Sequence, residues 1–166
     1  MRPFRFCPTC GNDLEEPDHE GGAHCGRCRR EWYRNMAPTV GAAIAKDGKV
    51  LATVRGREPE KGKLDVPGGF LGPFEHPLDG LKREVKEELG IDIEVGFDDF
   101  VQAVPHRYGS EGDVVLSLGF RARWVSGSPH PADDVADIRW LAGGDLEDVA
   151  FAWPHDRDLL RRALDG

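Results

Sequence analysis

From Thr39 onward the apolar residues fall into short blocks whose spacing changes along the chain. TVGAAIA at 39–45 and VLATVR at 50–55 are strand-like runs separated by Lys46-Asp47-Gly48-Lys49, and an Asp-Gly pair between two such runs predicts a β-hairpin. Leu64-Asp65-Val66 reads as a short strand running into Pro67-Gly68-Gly69. Beyond it the period lengthens: Leu78, Leu81, Val85 and Leu89 recur at intervals of three and four and form one stripe of a helix. Pro77 suits a first helical position and Gly90 suits the residue just past a helix end, so the spacing predicts a helix over 77–89. IDIEV, FVQAV, VVLSLGFRARWV and IRWL predict further strands, and Leu159, Leu160, Ala163 and Leu164 predict a closing amphipathic helix over about 156–164.

This pattern occupies most of a 166-residue chain that is 39% hydrophobic and 31% charged, which suits one well-packed domain with a small appendage and excludes a disordered chain. The net charge of -8 opposes general nucleic-acid binding, which needs an excess of Lys and Arg for phosphate contacts. A small anionic substrate stays compatible if metal ions or local arginines screen the carboxylates. No stretch has the apolar core of a signal peptide or approaches a membrane span. The expectation is therefore a cytoplasmic protein with a small-molecule partner and neither nucleic-acid nor membrane partners.

All four cysteines lie near the N-terminus, as Cys7-x2-Cys10 and Cys25-x2-Cys28 with fourteen residues between the pairs. Two such knuckles supply four thiolates for a closed tetrahedral Zn²⁺ site, with Gly11 and Gly26 allowing a tight turn beside each pair. A pair of disulfides or four unrelated thiols are the alternatives. In residues 1–36 six arginines, among them Arg27, Arg29, Arg30 and Arg34, balance six carboxylates, so this segment makes a poor nucleic-acid clamp.

The helix over 77–89 carries Glu84 and Glu88 along one flank, with Glu87 further round. Like charges at this spacing repel, so they form either a solvated face or a set of oxygen ligands converging on a hard divalent cation. The glycine turn before the helix and the shortage of Lys partners in EVKEEL favour the second. Gly69, Glu75, Arg83, Glu84, Val85, Glu87, Glu88, Gly90 and Ile91 fill every specified position of G-x5-E-x7-R-E-U-x-E-E-x-G-U, where U is bulky and aliphatic. The stretch thereby resembles the signature of the Nudix hydrolases. The resemblance implies an α/β fold, an α/β/α sandwich on a mixed sheet over 37–166, preceded by a small zinc ribbon over 1–36. It implies Mg²⁺ or Mn²⁺ held by Glu84, Glu87, Glu88 and the carbonyl of Gly68 or Gly69. Arg83 would hold a glutamate by an ion pair, and Glu75 would support the loop or reach metal through water.

The cysteine knuckles followed by REWYRNMAPTVGAAI resemble the ribbon-bearing NADH pyrophosphatase and ADP-ribose pyrophosphatase branches, and a homodimer is common among such relatives. PADDVADIRWL resembles a segment that supplies a further metal ligand, here Asp134, with an ordinary loop aspartate as the alternative. The S-Q-P-W-P-F-P-x-S run of the NADH pyrophosphatases is absent. Pro105-His106-Arg107-Tyr108 instead loosely resembles a substrate loop in which Tyr108 stacks on a base and Arg107 meets phosphate. Arg55 and Arg57 are further candidates near phosphate, and each of these side chains has an alternative as packing or surface charge. The activity implied is cleavage of the pyrophosphate in a nucleoside diphosphate joined to another group, with ADP-ribose-like, NADH or FAD-type compounds foremost. A sensor that binds without turnover and a ribbon-mediated nucleic-acid binder are the rivals.

Overall fold

A computed structural model of the chain describes residues 4–33, 35–109 and 113–165. Arg2 and Arg34 lie outside the described residues. The chain divides into two compact units, Met1–Met36 and Ala37–Gly166.

In the first unit, strands β1 (Gly22–Cys25) and β2 (Arg30–Tyr33) form an antiparallel pair in which Cys25 faces Arg30. The first knuckle is closed by Cys7 N–H to Asn12 O at 2.8 Å and Gly11 N–H to Cys7 O at 2.9 Å. Gly11 takes a left-handed conformation with φ 70°. In the second knuckle the left-handed residue is Arg29, φ 54°, not the expected Gly26, because the turn closes later, through Arg29 N–H to Cys25 O at 2.8 Å.

The second unit is built on a mixed sheet. Strands β3 (Ala37–Lys46) and β4 (Lys49–Arg55) form the predicted hairpin. Asp47 and Gly48 both have positive φ, the geometry that makes Asp-Gly turns fit the strand twist. The order β10-β4-β3-β9-β7 uses β7 (Asp92–Glu94), β9 (Asp113–Ser126) and β10 (Val135–Ala142). β3 runs parallel to β9 while the other pairings in this order are antiparallel. Short β5 (Leu64–Asp65) pairs with β4, β6 (Gly68–Phe70) with β3, and β8 (Phe100–Tyr108) with β9.

Strand alternation sends side chains to two cores. Val40, Ala42, Ile44 and Leu51 pack with Leu81, Val85 and Leu89 of helix α1 (Pro77–Leu89). Ala43, Val50, Ala52 and Val54 pack with Leu159 and Leu160 of helix α2 (Pro154–Leu164). One helix per face gives the α/β/α sandwich on a mixed sheet that the sequence led us to expect.

Helix α1 has the predicted ends. His76 Nδ1 caps it by accepting from Leu78 N–H, Pro77 occupies the first turn, and Gly90 closes it in the left-handed region at φ 68°. Helix α2 starts earlier than expected, at Pro154, where the same N-terminal proline preference applies. A further correction concerns Pro105–Tyr108, expected as a loop. The residues continue β8 and pair with Leu116 to Asp113. Proline is tolerated there because, among the described residues, β8 pairs with β9 alone and so is an edge strand.

Each fully buried Leu or Val of the α1 stripe contributes about 1.5–3 kcal/mol of transfer free energy. Leu81→Ala is expected to lower the unfolding free energy of the protein by about 2–5 kcal/mol, measurable as a shift in urea midpoint at unchanged m-value.

Candidate active site and cysteine cluster

Two glycines bring the β6 backbone against the glutamates of α1. Gly68 has φ 149°, and a Cβ there would meet Val40 O at 2.0 Å. A Cβ on Gly69 would lie 2.5 Å from the Glu84 carboxyl. Only residues without a side chain let the strand approach so closely. Gly68 N–H donates to Glu88 Oε2 at 2.9 Å.

Glu88 is 7% exposed. Its carboxyl is pushed well above the usual range, first by burial and then by the charges of Asp134, Asp65 and Glu84, against the opposing Gly68 hydrogen bond. Burial also raises Glu84. The 130–135 segment is fastened beside this carboxyl through the main chain of α1: His130 N–H donates to Leu89 O and Ala132 N–H to Glu88 O at 2.9 Å. That places Asp134 on the cavity wall, with Oδ2 held by Arg57 Nε at 2.7 Å.

Arg83 is the hub of the exposed side. Its Nε and Nη2 bind the two oxygens of Glu75 at 2.7 and 2.9 Å, and Nη1 reaches Glu84 and Glu87, each at 2.8 Å. Glu75 also accepts from Gly72 N–H at 2.9 Å. These bonds, the Arg83 one foremost, hold its carboxyl down to about 2. Lys86 pairs with Asp92 and not with the glutamates.

A cavity of about 270 Å³ is lined by Gly68, Gly69, Glu84, Glu87, Glu88 and Asp134, and also by Arg55, Arg57 and Tyr108. Glu75, Arg83 and Arg107 are not among its lining residues. Arg107 is exposed, because alternation along β8 turns it away from the face shared by His106 and Tyr108. Arg55 lines the cavity but is engaged: Nη1 binds Asp65 Oδ2 at 2.6 Å and Nε binds Pro59 O at 2.8 Å.

Sequence reasoning did not single out Trp153, His155, Asp156 or Asp65, which share this cavity. Leu64 bonds through its main chain to Ala150 and Ala152, which carries Trp153 next to β5. Trp153 stacks with Tyr108 at 5.4 Å between ring centroids and 17° between planes, and the Arg55 guanidinium lies 4.7 Å from its ring centre. The Trp-Pro step entering a helix was the available local signal, but only the long-range β5 contact gives it meaning.

The donor set around Glu88, a buried carboxyl beside the partly exposed Glu84 and Asp134 and the exposed Glu87, consists of oxygens and so suits a hard divalent ion such as Mg²⁺ or Mn²⁺. Among the described residues the glutamates do not form a tight three-ligand cluster; the four cysteines do, with all sulfurs within 4.8 Å of one another. The cysteines are free thiols with Sγ···Sγ separations of 3.3–3.7 Å in four of the pairs. Zn–S bonds of about 2.3 Å in a tetrahedron require roughly 3.8 Å between sulfurs, so the geometry fits Zn²⁺ after slight expansion. The thiols also compete for protons. Cys7 is drawn down to about 6 by the backbone N–H groups of Thr9 and Cys10 acting against burial, and Cys28 is pushed up to about 12 by its hydrogen bonds to Cys10, Cys25 and Cys7. His24 stands outside this group.

A mixed sheet with one helix on each face, carrying a glycine strand and a glutamate helix in this relation, defines a Nudix-type protein. The model of the NUDIX domain matches residues 36–163, and the chain belongs to the Nudix hydrolase family. It is similar to the NAD-capped RNA hydrolase NudC of Vibrio atlanticus (strain LGP32), at 30% identity over 163 residues that make up 98% of this chain and 58% of that protein. The chain thus spans less than two thirds of the length of that relative. A crystal structure of a Nudix hydrolase from Nitrosomonas europaea is similar at TM-score 0.76 and 23% identity, covering 98% of this chain and 91% of that one. The MutT Nudix hydrolase from Burkholderia pseudomallei is similar at TM-score 0.66 and 28% identity, covering 76% and 97%.

A carboxyl whose pKa is raised by folding favours the protonated apo state, and this stabilisation is lost as pH rises through the folded pKa. Binding of a divalent cation at Glu88 must therefore release a proton. Calorimetric titration with Mg²⁺ is expected to show affinity rising with pH above the ordinary carboxylate range, with a heat that depends on the ionisation enthalpy of the buffer. Affinity independent of pH above the ordinary carboxylate range would contradict proton-coupled binding at Glu88.

Proposed function

We propose that the chain hydrolyses the pyrophosphate of a nucleoside diphosphate joined to a second group, with ADP-ribose-like, NADH or FAD-type compounds as the substrate class. The observation that carries this reading is Glu88, a buried carboxylate fixed by Gly68 N–H among further acids on a cavity wall that also holds an aromatic pair. Glu84, Glu87, Glu88 and Asp134 would hold Mg²⁺ or Mn²⁺, with the Gly68 or Gly69 carbonyl adding an oxygen. Such an ion offsets the charge of the diphosphate and lowers the pKa of water at the phosphorus. Gly68 orients Glu88, while Arg83 orients Glu84 and Glu87 and ties them to Glu75. Arg57, whose side chain is 67% exposed and paired with Asp134, is the cavity arginine placed to meet a phosphate. The four thiols of the first unit would hold a structural Zn²⁺.

A second reading draws on the name of the curated relative, which acts on NAD-capped RNA. It runs against the expectation of no nucleic-acid partner, and it keeps the same chemistry, since the scissile bond is again a pyrophosphate. Acid crowding around the cavity supports the small-molecule reading, because an RNA body needs cationic surface.

Glu88→Gln keeps the shape and removes the charge, and kcat is expected to fall by at least about 10²-fold without loss of fold by circular dichroism. The assay compares Mg²⁺-dependent cleavage of ADP-ribose, NADH, FAD and an NAD-capped RNA. Nearly unchanged kcat in the variant would remove Glu88 from the reaction. Cys25→Ser is expected to lose the zinc measured by atomic spectroscopy while Mg²⁺ binding persists; no zinc in the freshly purified wild-type protein would refute the ribbon assignment.

A further inference from the structure

Asp134 is pinned between the glutamate helix and the end of β4. On one side Ala132 N–H donates to Glu88 O, and Val135 N–H closes a turn on Ala132 O at 3.0 Å, with Asp133 in the left-handed region at φ 51°. On the other side Gly56 N–H donates to Asp134 O at 2.7 Å, and a Cβ on Gly56 would lie 2.6 Å from that same oxygen. Only glycine lets the two segments approach so closely. The approach sets the side chains of Arg57 and Asp134 together, with Nε 2.7 Å from Oδ2.

The two partners differ in their access to water. The Arg57 side chain is 67% exposed and that of Asp134 18%. A guanidinium that leaves the pair is hydrated at once. The carboxylate it leaves behind stays on the cavity wall, near enough to Glu88 for its charge to act on that buried carboxyl. Separation therefore costs Asp134 more than it costs Arg57. Among the described residues no other Lys or Arg forms an ion pair with Asp134. Arg55, the second arginine of the cavity wall, is bound to Asp65 and to Pro59 O and does not stand in for Arg57.

We propose that Arg57 is a releasable latch on Asp134: it holds the carboxylate before substrate arrives, and a phosphate that draws Arg57 away frees Asp134 for the divalent cation. Phosphate and cation binding are then coupled through one ion pair, besides any direct contact between the two ligands. This rests on the reading of the cavity as a metal-dependent diphosphate site. Arg57 acts on the cation only through Asp134, and so is a positioning residue.

The test is calorimetric titration of the full chain with Mn²⁺ at low ionic strength, where exposed ion pairs are least screened. Wild type is compared with Arg57→Gln, Asp134→Asn and the double variant, each checked by circular dichroism and thermal melting. Arg57→Gln opens Asp134 and is expected to bind Mn²⁺ at least threefold more tightly than wild type, about 0.7 kcal/mol and within the range of an exposed ion pair. In the Asp134→Asn background the same change should bring no such gain. A gain below threefold overturns the latch, and so does one that persists undiminished without the Asp134 carboxylate, where the lost charge acts only through its long-range field. Should Asp134→Asn bind Mn²⁺ too weakly to fit, Lys61→Gln, which removes one charge from the same exposed loop, is the field control, and a gain equal to that of Arg57→Gln overturns the latch. AMP supplies the phosphate: at one fixed concentration, where its chelation of Mn²⁺ in solution is the same for both proteins, it should tighten Mn²⁺ binding more in wild type than in Arg57→Gln. Equal tightening overturns the coupling. Cleavage of ADP-ribose by the wild type is measured separately. Coupled binding without Mg²⁺-dependent cleavage would reject the hydrolase reading and leave the latch standing, and cleavage without coupling would do the reverse.

Discussion

The arrangement of the larger unit depends on keeping the Glu88 carboxyl out of water. An isolated buried carboxylate is strongly unfavourable, and here Gly68 N–H donates to it while Asp134, Asp65 and Glu84 add their negative fields. That donor exists because Gly68 adopts a conformation and a closeness to Val40 that a side chain would forbid. The carbonyl of the same glutamate fastens Ala132, so the loop bearing Asp134 is registered on the residue whose charge it perturbs. Strain of this kind concentrates where a ligand is meant to relieve it.

The distribution of arginines points the same way. Arg83 is saturated by Glu75, Glu84 and Glu87, Arg55 by Asp65, Pro59 and Tyr108, and Arg57 is paired with Asp134. Protein cations around the cavity are thus committed to protein carboxylates, and only the exposed Arg57 can change partners at small cost. A diphosphate entering such a site needs positive charge from outside the chain. A divalent cation bound by the carboxylates supplies it in the proposed reaction.

Much of this was readable from the sequence because it is local. The Asp47-Gly48 turn, the Pro77 start, the Gly90 stop and the Leu81, Val85 and Leu89 stripe are each set by neighbours a few residues apart, as is the flank shared by Glu84 and Glu88. The paired cysteine spacings likewise led to four sulfurs gathered in one small unit. What escaped depends on contacts between distant segments. The resemblance of Pro105–Tyr108 to a substrate loop gave way to an edge strand, because these residues pair with β9. Arg107 looked like a phosphate ligand until strand alternation turned it outward. Asp156 and Trp153 reach the cavity wall where Leu64 pairs with the chain around Ala150 and Ala152, a juxtaposition that no spacing rule encodes.

The central claim, that the carboxylates of α1 and Asp134 surround one divalent ion, is tested most directly by anomalous diffraction from crystals containing Mn²⁺. The account predicts an anomalous peak within roughly 2.0–2.4 Å of carboxylate oxygens of Glu88 and Glu84, with the Gly68 or Gly69 carbonyl or Asp134 completing the shell. A strong peak elsewhere, with Glu88 still bound only to Gly68 N–H, would contradict it.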